Sequence, residues 1–413
     1  MDYWQGDIPW ASPKDFGSFY LTDTRDHISK AALAGSSAHL VPAGTLLVVF
    51  RSGVLQHSLP VTIATQETAI NQDLKAFVFS EHVTAEYVGA YLTIFGSKLL
   101  PLITKSGATV QSINTEQFRE LGIPIPPRQI QDDIVEKLVS ALSQKSEVEA
   151  KARELLASVD TVLFEELGIS PQADPPHTIE SRIFRRPFSD VTGQRWDPNF
   201  YTHMVRFLTQ AENGTHPLRK LGQFISKVQY GISERATKDV VGVPMLRMLN
   251  MQDGEWALSD LKFIEMTNEE KRPYLLDDGD ILFNRTNSKE LVGKCIVYRL
   301  AGEYVFASYL MRVVLRERCG LLPEYVTLFM ASSLGRIQID AVSRQIAGMT
   351  NINAEEVRNL LIPVPPVVVQ ERLCQRVAAI RDKDTKIRAQ ATVDLEQAKA
   401  KIEALILAEG ATE

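Results

Sequence analysis

Two stretches of roughly forty residues dominate the pattern of apolar and polar positions along the chain. From about Pro127 to Leu167, apolar residues recur at alternating four- and three-residue spacing. They are Ile134, Leu138, Ala141, then Val148, Ala152, Leu155, Val159 and Val162. From about Pro366 to Leu407 the series is Leu373, Val377, Ile380, Ile387 and Ala391, which slips by one residue to Leu395, Ala398, Ile402 and Leu405. A stripe this narrow is the seam of a coiled coil, and the slip is a local stutter. A helix buried in an ordinary domain core would carry a wider apolar face. At about 1.5 Å per residue, each helix makes a rod of about 60 Å.

The residues ahead of each helix repeat. "LGIPIPPRQIQDDI" (Leu121–Ile134) and "LLIPVPPVVVQERL" (Leu360–Leu373) superimpose at a constant offset of 239: Pro124 on Pro363, Pro126-Pro127 on Pro365-Pro366, Gln131 on Gln370. Ile113-Asn114 matches Ile352-Asn353 at the same offset, and Gly44 and Gly279 mark a weaker upstream match 235 apart. Each proline forces its predecessor out of the α region, so I-P-x-P-P is extended. The second proline of each pair suits the first turn of a helix, where its missing N–H costs nothing. Upstream, β-rich runs precede a helical segment in both copies: "TLLVVF", "LPVTIA" and "AFVFS", then "DILFN", "KCIVYRL" and "VFASYLMRVVL". A period this long is a duplicated domain, not a solenoid.

The expected architecture is α+β: two similar globular domains separated by two long helices that form an antiparallel coiled coil, with a pseudo-twofold internal repeat. The expected boundaries are 1–126 for the first domain and 127–167 for the first spacer helix. A linker and entry to the second repeat would span 168–215, followed by the second domain at 216–365 and the second spacer helix and tail at 366–413. "GISPQADPPHT" (Gly168–Thr178) reads as the linker because glycine and prolines end the helix. Residue 1 corresponds to about position 238, so the first domain is expected to be short at its N-terminus, without a counterpart of Pro217–Ser233.

Taken together, the twice-repeated I-P-[IV]-P-P…Q motif, "GDIPWASPKD" near the start and "YLLDDGDILFNRTNSKELVGK" (Tyr274–Lys294) resemble the specificity subunit of type I restriction–modification systems. The resemblance covers essentially the whole chain. It implies that each domain is a target-recognition domain reading one half of a bipartite site on double-stranded DNA, with the paired helices as spacer. It also implies two modification (methyltransferase) subunits docked on the helical region, together with restriction (translocase/endonuclease) subunits. S-adenosylmethionine, ATP and Mg are then expected on those partners and no cofactor on this chain.

Composition adjusts this picture. Net charge is −6, so any basic surface is local. Residues 216–348 carry 18 Lys+Arg against 16 Asp+Glu, and residues 1–110 carry 7 against 9, which predicts modest non-specific phosphate affinity. Cys295, Cys319 and Cys374 form no CxxC or Cys/His cluster and read as reduced thiols of a cytoplasmic protein. The N-terminus has no signal-peptide pattern, and no apolar run is long enough for a membrane span. No phosphate-binding glycine loop or H-E-x-x-H spacing occurs. "DPPH" (Asp174–His177) has histidine where an adenine methylase motif needs an aromatic, so it reads as linker. Asp277, Asp278 and Asp280 read as a turn before a strand rather than a metal site. The chain reads as a non-catalytic recognition subunit. Its rivals are a truncated copy reading one half-site and a stand-alone methyltransferase or nuclease.

Base reading must then come from loops. In "FNRTNSKELVGK" (Phe283–Lys294), Arg285 can contact guanine, Asn284 or Asn287 adenine, and Lys289 and Lys294 phosphate. "KVQYGISERATK" (Lys227–Lys238) offers Tyr230, Arg235 and Lys238, and "FRSGVLQHS" (Phe50–Ser58) offers Arg51 and Gln56. Solvated loops have the same composition. Lys145 and Asp384 interrupt the two seams at equivalent positions. Set opposite each other, they place Ile134 near Leu395 and Ala152 near Val377, so the expectation is a seam ion pair that fixes register.

Overall fold

Each apolar seam is one unbroken helix, Arg128–Leu167 and Val367–Gly410, in the computed structural model of the chain. The structure describes residues 3–105, 111–170, 178–180, 183, 185, 187, 197–252, 254–346 and 349–410. Two units emerge: Met1–Arg153 with Thr385–Glu413, and Glu154–Asp384. Each therefore combines a β-rich domain with one end of each long helix.

In the first unit, Ile8–Ala11 lies antiparallel to Asp26–Ile28 and parallel to Thr68–Ile70, and His39–Val41 completes that sheet. A second sheet has the order Tyr20–Leu21, Val61–Ala64, Leu46–Val49, Leu74–Phe77. Leu46–Val49 is buried on both faces, as a continuous apolar run requires. Helix Ala85–Ile103 packs against this sheet, with the Thr84 hydroxyl accepting from the Tyr87 N–H at its start. Ile134 and Leu138 from the first long helix and Ile402 and Ile406 from the second join the same core.

The second unit repeats this plan. Val243–Leu246 lies antiparallel to Lys262–Ile264 and parallel to Val305–Phe306. The larger sheet has the order Ile225–Tyr230, Leu310–Leu315, Ile281–Asn284, Cys295–Val297. Helices Pro323–Ala331 and Ser333–Val342 cover it. Gly44 (φ 80°) and Gly279 (φ 90°) turn the chain into equivalent strands, at a left-handed conformation that side chains resist. Within the stretch expected to be linker, Pro198–Ala211 is a helix whose Phe207 and Ala211 are buried in the second core. The Asp174–His177 motif lies outside the described residues.

The proline hinges carry the same hydrogen bonds in both units. Gln131 is 1% exposed. Its Nε2 donates to the carbonyls of His82 (3.0 Å) and Pro126 (2.9 Å), and its Oε1 accepts from the Thr84 N–H (3.1 Å). Gln370, fully buried, donates to Gly320 (2.7 Å) and Pro365 (2.9 Å) and accepts from the Leu322 N–H (2.9 Å). The Tyr87 hydroxyl donates to the Pro124 carbonyl and the Tyr325 hydroxyl to that of Pro363. One buried amide thus ties the start of the long helix to the N-cap of the domain's own helix. Leu361–Pro363 also pairs with Leu218–Lys220 as a strand, whereas residues 123–127 join no sheet.

The seam is real, but its register is not the one expected. In the second unit Glu166 accepts from both Arg372 and Arg376, so the last turns of the first long helix face the first turns of the second. Asp384 is buried. In the first unit, Ile134 shares its cluster with Ile402 and Ile406 rather than with Leu395, and Lys145 pairs with Glu149 of its own helix at 3.5 Å. Within each unit, hydrophobic packing and ion pairs set an alignment of the helix ends different from the one on which the expected Lys145–Asp384 pairing was built.

Candidate nucleic-acid interface

Strand direction decides where the candidate side chains meet. Ile225–Tyr230 and Ile281–Asn284 both run antiparallel to Leu310–Leu315, so their C-terminal ends share one edge of the larger sheet of the second unit. Tyr309 precedes the middle strand, and Lys294 precedes Cys295–Val297, at that same edge. The loops 231–237 and 285–294, far apart in sequence, thus leave the sheet side by side.

Arg285 is half-buried, with its guanidinium carbon 4.7 Å from the centre of the Tyr230 ring and Nη1 donating to the Ser308 carbonyl at 3.3 Å. Tyr230 is exposed, and its hydroxyl accepts from the Ala354 N–H at 3.1 Å. The pair forms a flat cationic and aromatic platform. Among the described residues, the buried Nε of Arg285 has no hydrogen-bond partner, which is uncommon for a donor of this strength. Asn287 is half-buried, with Nδ2 3.1 Å from the Met248 sulfur and Oδ1 accepting from the Ser288 N–H. Lys289, Lys294 and Arg235 are exposed. Lys238 pairs with Asp260 at 3.0 Å, and Asp260 also pairs with Arg247, so part of that charge is neutralised.

Asn284 is placed differently from expectation. It is 2% exposed, its Nδ2 donates to the Leu291 carbonyl, and its backbone bonds both Gly293 and Lys294. It closes the base of the loop and does not reach out to a base edge. In the first unit Arg51 and Gln56 are both exposed. Arg51 bridges Ser112 as Thr286 pairs with Asn351, so it takes the place of Thr286; the counterpart of Arg285 is Phe50, whose carbonyl receives the Ile113 N–H. Tyr309, 47% exposed, accepts the Arg285 N–H through its carbonyl and lies at the same sheet edge, a position that the loop composition does not single out.

The carboxylates at Asp277, Asp278 and Asp280 form the expected turn, and arginines hold them. Arg312 contacts Asp277 and Asp280, and Arg299 contacts Asp278. Among the described residues, no group of three His, Cys, Asp or Glu side chains is arranged to hold a metal ion. Burial pushes the thiol of Cys295 up to about 12 and that of Cys374 up to about 11, so both are poor nucleophiles. No helix among the described residues is long and apolar enough to cross a membrane.

The α+β unit is thus duplicated, each copy tied by one buried glutamine to the start of its own long helix. Residues 2–157 match the family described as Type I restriction modification DNA specificity domain. Over those residues the chain is similar to the specificity subunits of type I restriction–modification systems. It is 34% identical over 139 residues to the Type I restriction enzyme EcoR124I/EcoR124II specificity subunit of Escherichia coli, covering 33% of this chain and 34% of that protein. It is 26% identical over 275 residues to the EcoKI specificity subunit of Escherichia coli (strain K12), covering 66% and 53%. The chain therefore spans between a third and about half of the length of these relatives. A solved chain of a type I R-M system, from work on its complex assembly and conformational transition, has the same fold with a TM-score of 0.54. That match has 14% identity and covers 98% of this chain and 91% of the other.

Proposed function

We propose that this chain is the DNA-reading subunit of a type I restriction–modification complex. Each β-rich domain would read one half of a bipartite site on double-stranded DNA. The chain would do no bond-making chemistry itself and would direct two modification subunits, and restriction subunits with them, to that site. S-adenosylmethionine, ATP and Mg would belong to those partners. The observation that carries this reading is the repeated glutamine hinge. A domain that only had to fold would not need its orientation to a long helix fixed, twice, by the same three hydrogen bonds. The match of residues 2–157 to the DNA specificity domain family and the convergence of Tyr230, Arg285, Asn287, Lys289 and Lys294 at one sheet edge support the same reading. The working place would be the cytoplasm, where the DNA is.

The test is co-expression with a cognate modification subunit, followed by mass measurement of the complex and methylation-sensitive sequencing of host DNA with and without this gene. A complex with two copies of that partner, and adenine methylation at a bipartite sequence that appears only with the gene, are expected. S-adenosylmethionine binding or DNA cleavage by the purified chain alone would overturn the proposal. In the same assay, Arg285→Ala should relax recognition in one half-site and leave the other intact, because a lost bidentate contact costs about 1–3 kcal/mol of discrimination. A uniform loss over all sequences would mark Arg285 as a phosphate contact instead.

A further inference from the structure

One small turn is built alike in both units. In the second, Val243–Leu246 runs parallel to Val305–Phe306, and the Ala307 N–H donates to the Leu246 carbonyl (2.9 Å). Ala307–Tyr309 then leads into Leu310, so the chain after Leu246 emerges at the sheet edge where Ser308 and Tyr309 hold Arg285. There Met248–Asn250 makes a single turn of 3-10 helix. Asn250, 1% exposed, is its frame. Its Oδ1 accepts from the Arg247 N–H (2.9 Å), and its Nδ2 donates to the carbonyls of Ala257 (2.9 Å) and Asp260 (3.4 Å).

The first unit has the same frame. The Asn71 N–H donates to the Ala11 carbonyl (3.2 Å), Pro13–Asp15 is the 3-10 turn, and Asp15 stands where Asn250 does. Its Oδ2 accepts from the Ser12 N–H and hydroxyl (both 2.9 Å), and its Oδ1 from the N–H of Arg25 (3.0 Å), the counterpart of Asp260 at an offset of 235. What changes is the tip. It is Lys14 in the first unit, paired with Asp26, and Leu249 in the second, 56% exposed. A lone exposed leucine needs no explanation. This one stands on a turn fixed by a buried side chain, and the sulfur of its neighbour Met248 lies 3.1 Å from Nδ2 of Asn287. The turn and the loop 285–294 therefore meet at one edge.

Given the DNA-reading role of this edge, on which the assignment rests, we infer that Leu249 is a specificity-determining residue of the second unit. Its side chain packs on the 5-methyl group of a thymine in the major groove. Leucine offers no donor or acceptor, and the thymine methyl is the one apolar group that base edges display in that groove. Arg285 and Asn287 beside it set the choice of groove, because their paired donors and acceptors match major-groove edges. The Asn250 frame holds the turn in place before DNA arrives, so little ordering entropy opposes the contact. Lys14 on the same frame presents a cation instead, so one scaffold carries different chemistry in the two repeats.

The test uses the full chain assembled with its modification subunits, on the target sequence obtained by methylation-sensitive sequencing. Labelled duplexes carry deoxyuridine at each thymine of the target in turn, which removes one methyl group and no hydrogen bond, and binding is read by anisotropy. At one position the parent should bind about fourfold more weakly, the worth of one buried CH2 group. Leu249→Ser should bind the unmodified duplex comparably weakly and should no longer distinguish thymine from deoxyuridine at that position. Circular dichroism and partner assembly should be unchanged, because the replaced side chain is exposed. A target in which no thymine responds to deoxyuridine overturns the inference. So does a Leu249→Ser complex that still distinguishes the two bases. Weaker binding by Leu249→Ser with no response to any methyl would mark a wedge between base steps, and overturn it too. Failure of the reading role itself looks different: the assembled complex, parent and variant alike, would select no sequence, and the inference would fall with that role.

Discussion

Replacing Arg312 with leucine is expected to destabilise the second unit by about 3–5 kcal/mol, because it leaves a buried carboxylate without its cation. Arg312 is 6% exposed in the middle strand of the larger sheet, opposite both Gln229 and Leu282. Its Nε lies 2.6 Å from Oδ2 of Asp280, which is 2% exposed. Its Nη2 donates to Asp277 at 2.7 Å and its Nη1 to the Leu275 carbonyl at 2.9 Å. Burial raises the Asp280 carboxyl above its ordinary range; the Asp277 N–H and the Arg312 charge pull the other way. Without Arg312 that raising grows. A native carboxyl that holds its proton more tightly than the unfolded one is stabilising at low pH, and the stability is lost as pH rises through the native value. The deficit of Arg312→Leu should therefore be larger at pH 7 than at pH 5, as read by urea unfolding. Arg312→Leu combined with Asp280→Leu removes both charges and should recover part of the loss. An equal deficit at both pH values, or no recovery in the double variant, would show that packing and not charge is responsible.

The same turn shows how much the sequence could disclose. Asp277-Asp278-Gly279-Asp280 was legible as a turn before a strand, because glycine in a left-handed conformation and flanking aspartates leave few alternatives. The arginine that holds it comes from 32 residues further along the chain, and nothing local marks Arg312 as its partner. The long helices were equally legible, since every seam position is buried or half-buried. Their register was not. Apolar faces apolar under the Lys145–Asp384 alignment too, and the contacts of Glu166 with Arg372 and Arg376 and of Ile134 with Ile402 and Ile406 are what distinguish the alternatives within each unit. A heptad pattern repeats, so it fixes alignment only up to whole turns.

The candidate interface was half legible for a related reason. Loop composition singles out Arg285, Lys289 and Lys294, but it could not tell that Asn284, one residue earlier, still belongs to the buried strand. An asparagine at a strand end serves the backbone as readily as a ligand. Helix Pro198–Ala211 was missed although Phe200, Met204, Phe207, Leu208 and Ala211 keep helical spacing. The convergence of Tyr230 with Arg285 depends on sheet order, which separation in sequence does not reveal.

Gln370→Met should cost on the order of 3 kcal/mol and loosen the start of the second long helix first. Methionine keeps the length and shape of glutamine but offers no donors and no comparable acceptor. The Leu322 N–H and the Gly320 and Pro365 carbonyls would then lose their partner at a fully buried position, and each unmade buried bond costs about 1–3 kcal/mol, partly offset where water enters. Gln131→Met removes the equivalent three bonds in the first unit and should behave alike. Because the chain has two units, a single unfolding midpoint would mix them, so the measurement is hydrogen exchange followed by peptide. Gln370→Met should speed exchange in the first turns of Val367–Gly410 and in helix Pro323–Ala331, leaving the first turns of Arg128–Leu167 protected. Gln131→Met should do the converse, with helix Ala85–Ile103 affected. Tyr325→Phe, which deletes only the hydroxyl bond to Pro363, should produce a smaller change in the same segments. If either glutamine variant left its own helix start as protected as in the parent, the repeated motif would owe its recurrence to the prolines alone. The glutamine would then not be what holds each domain to its helix.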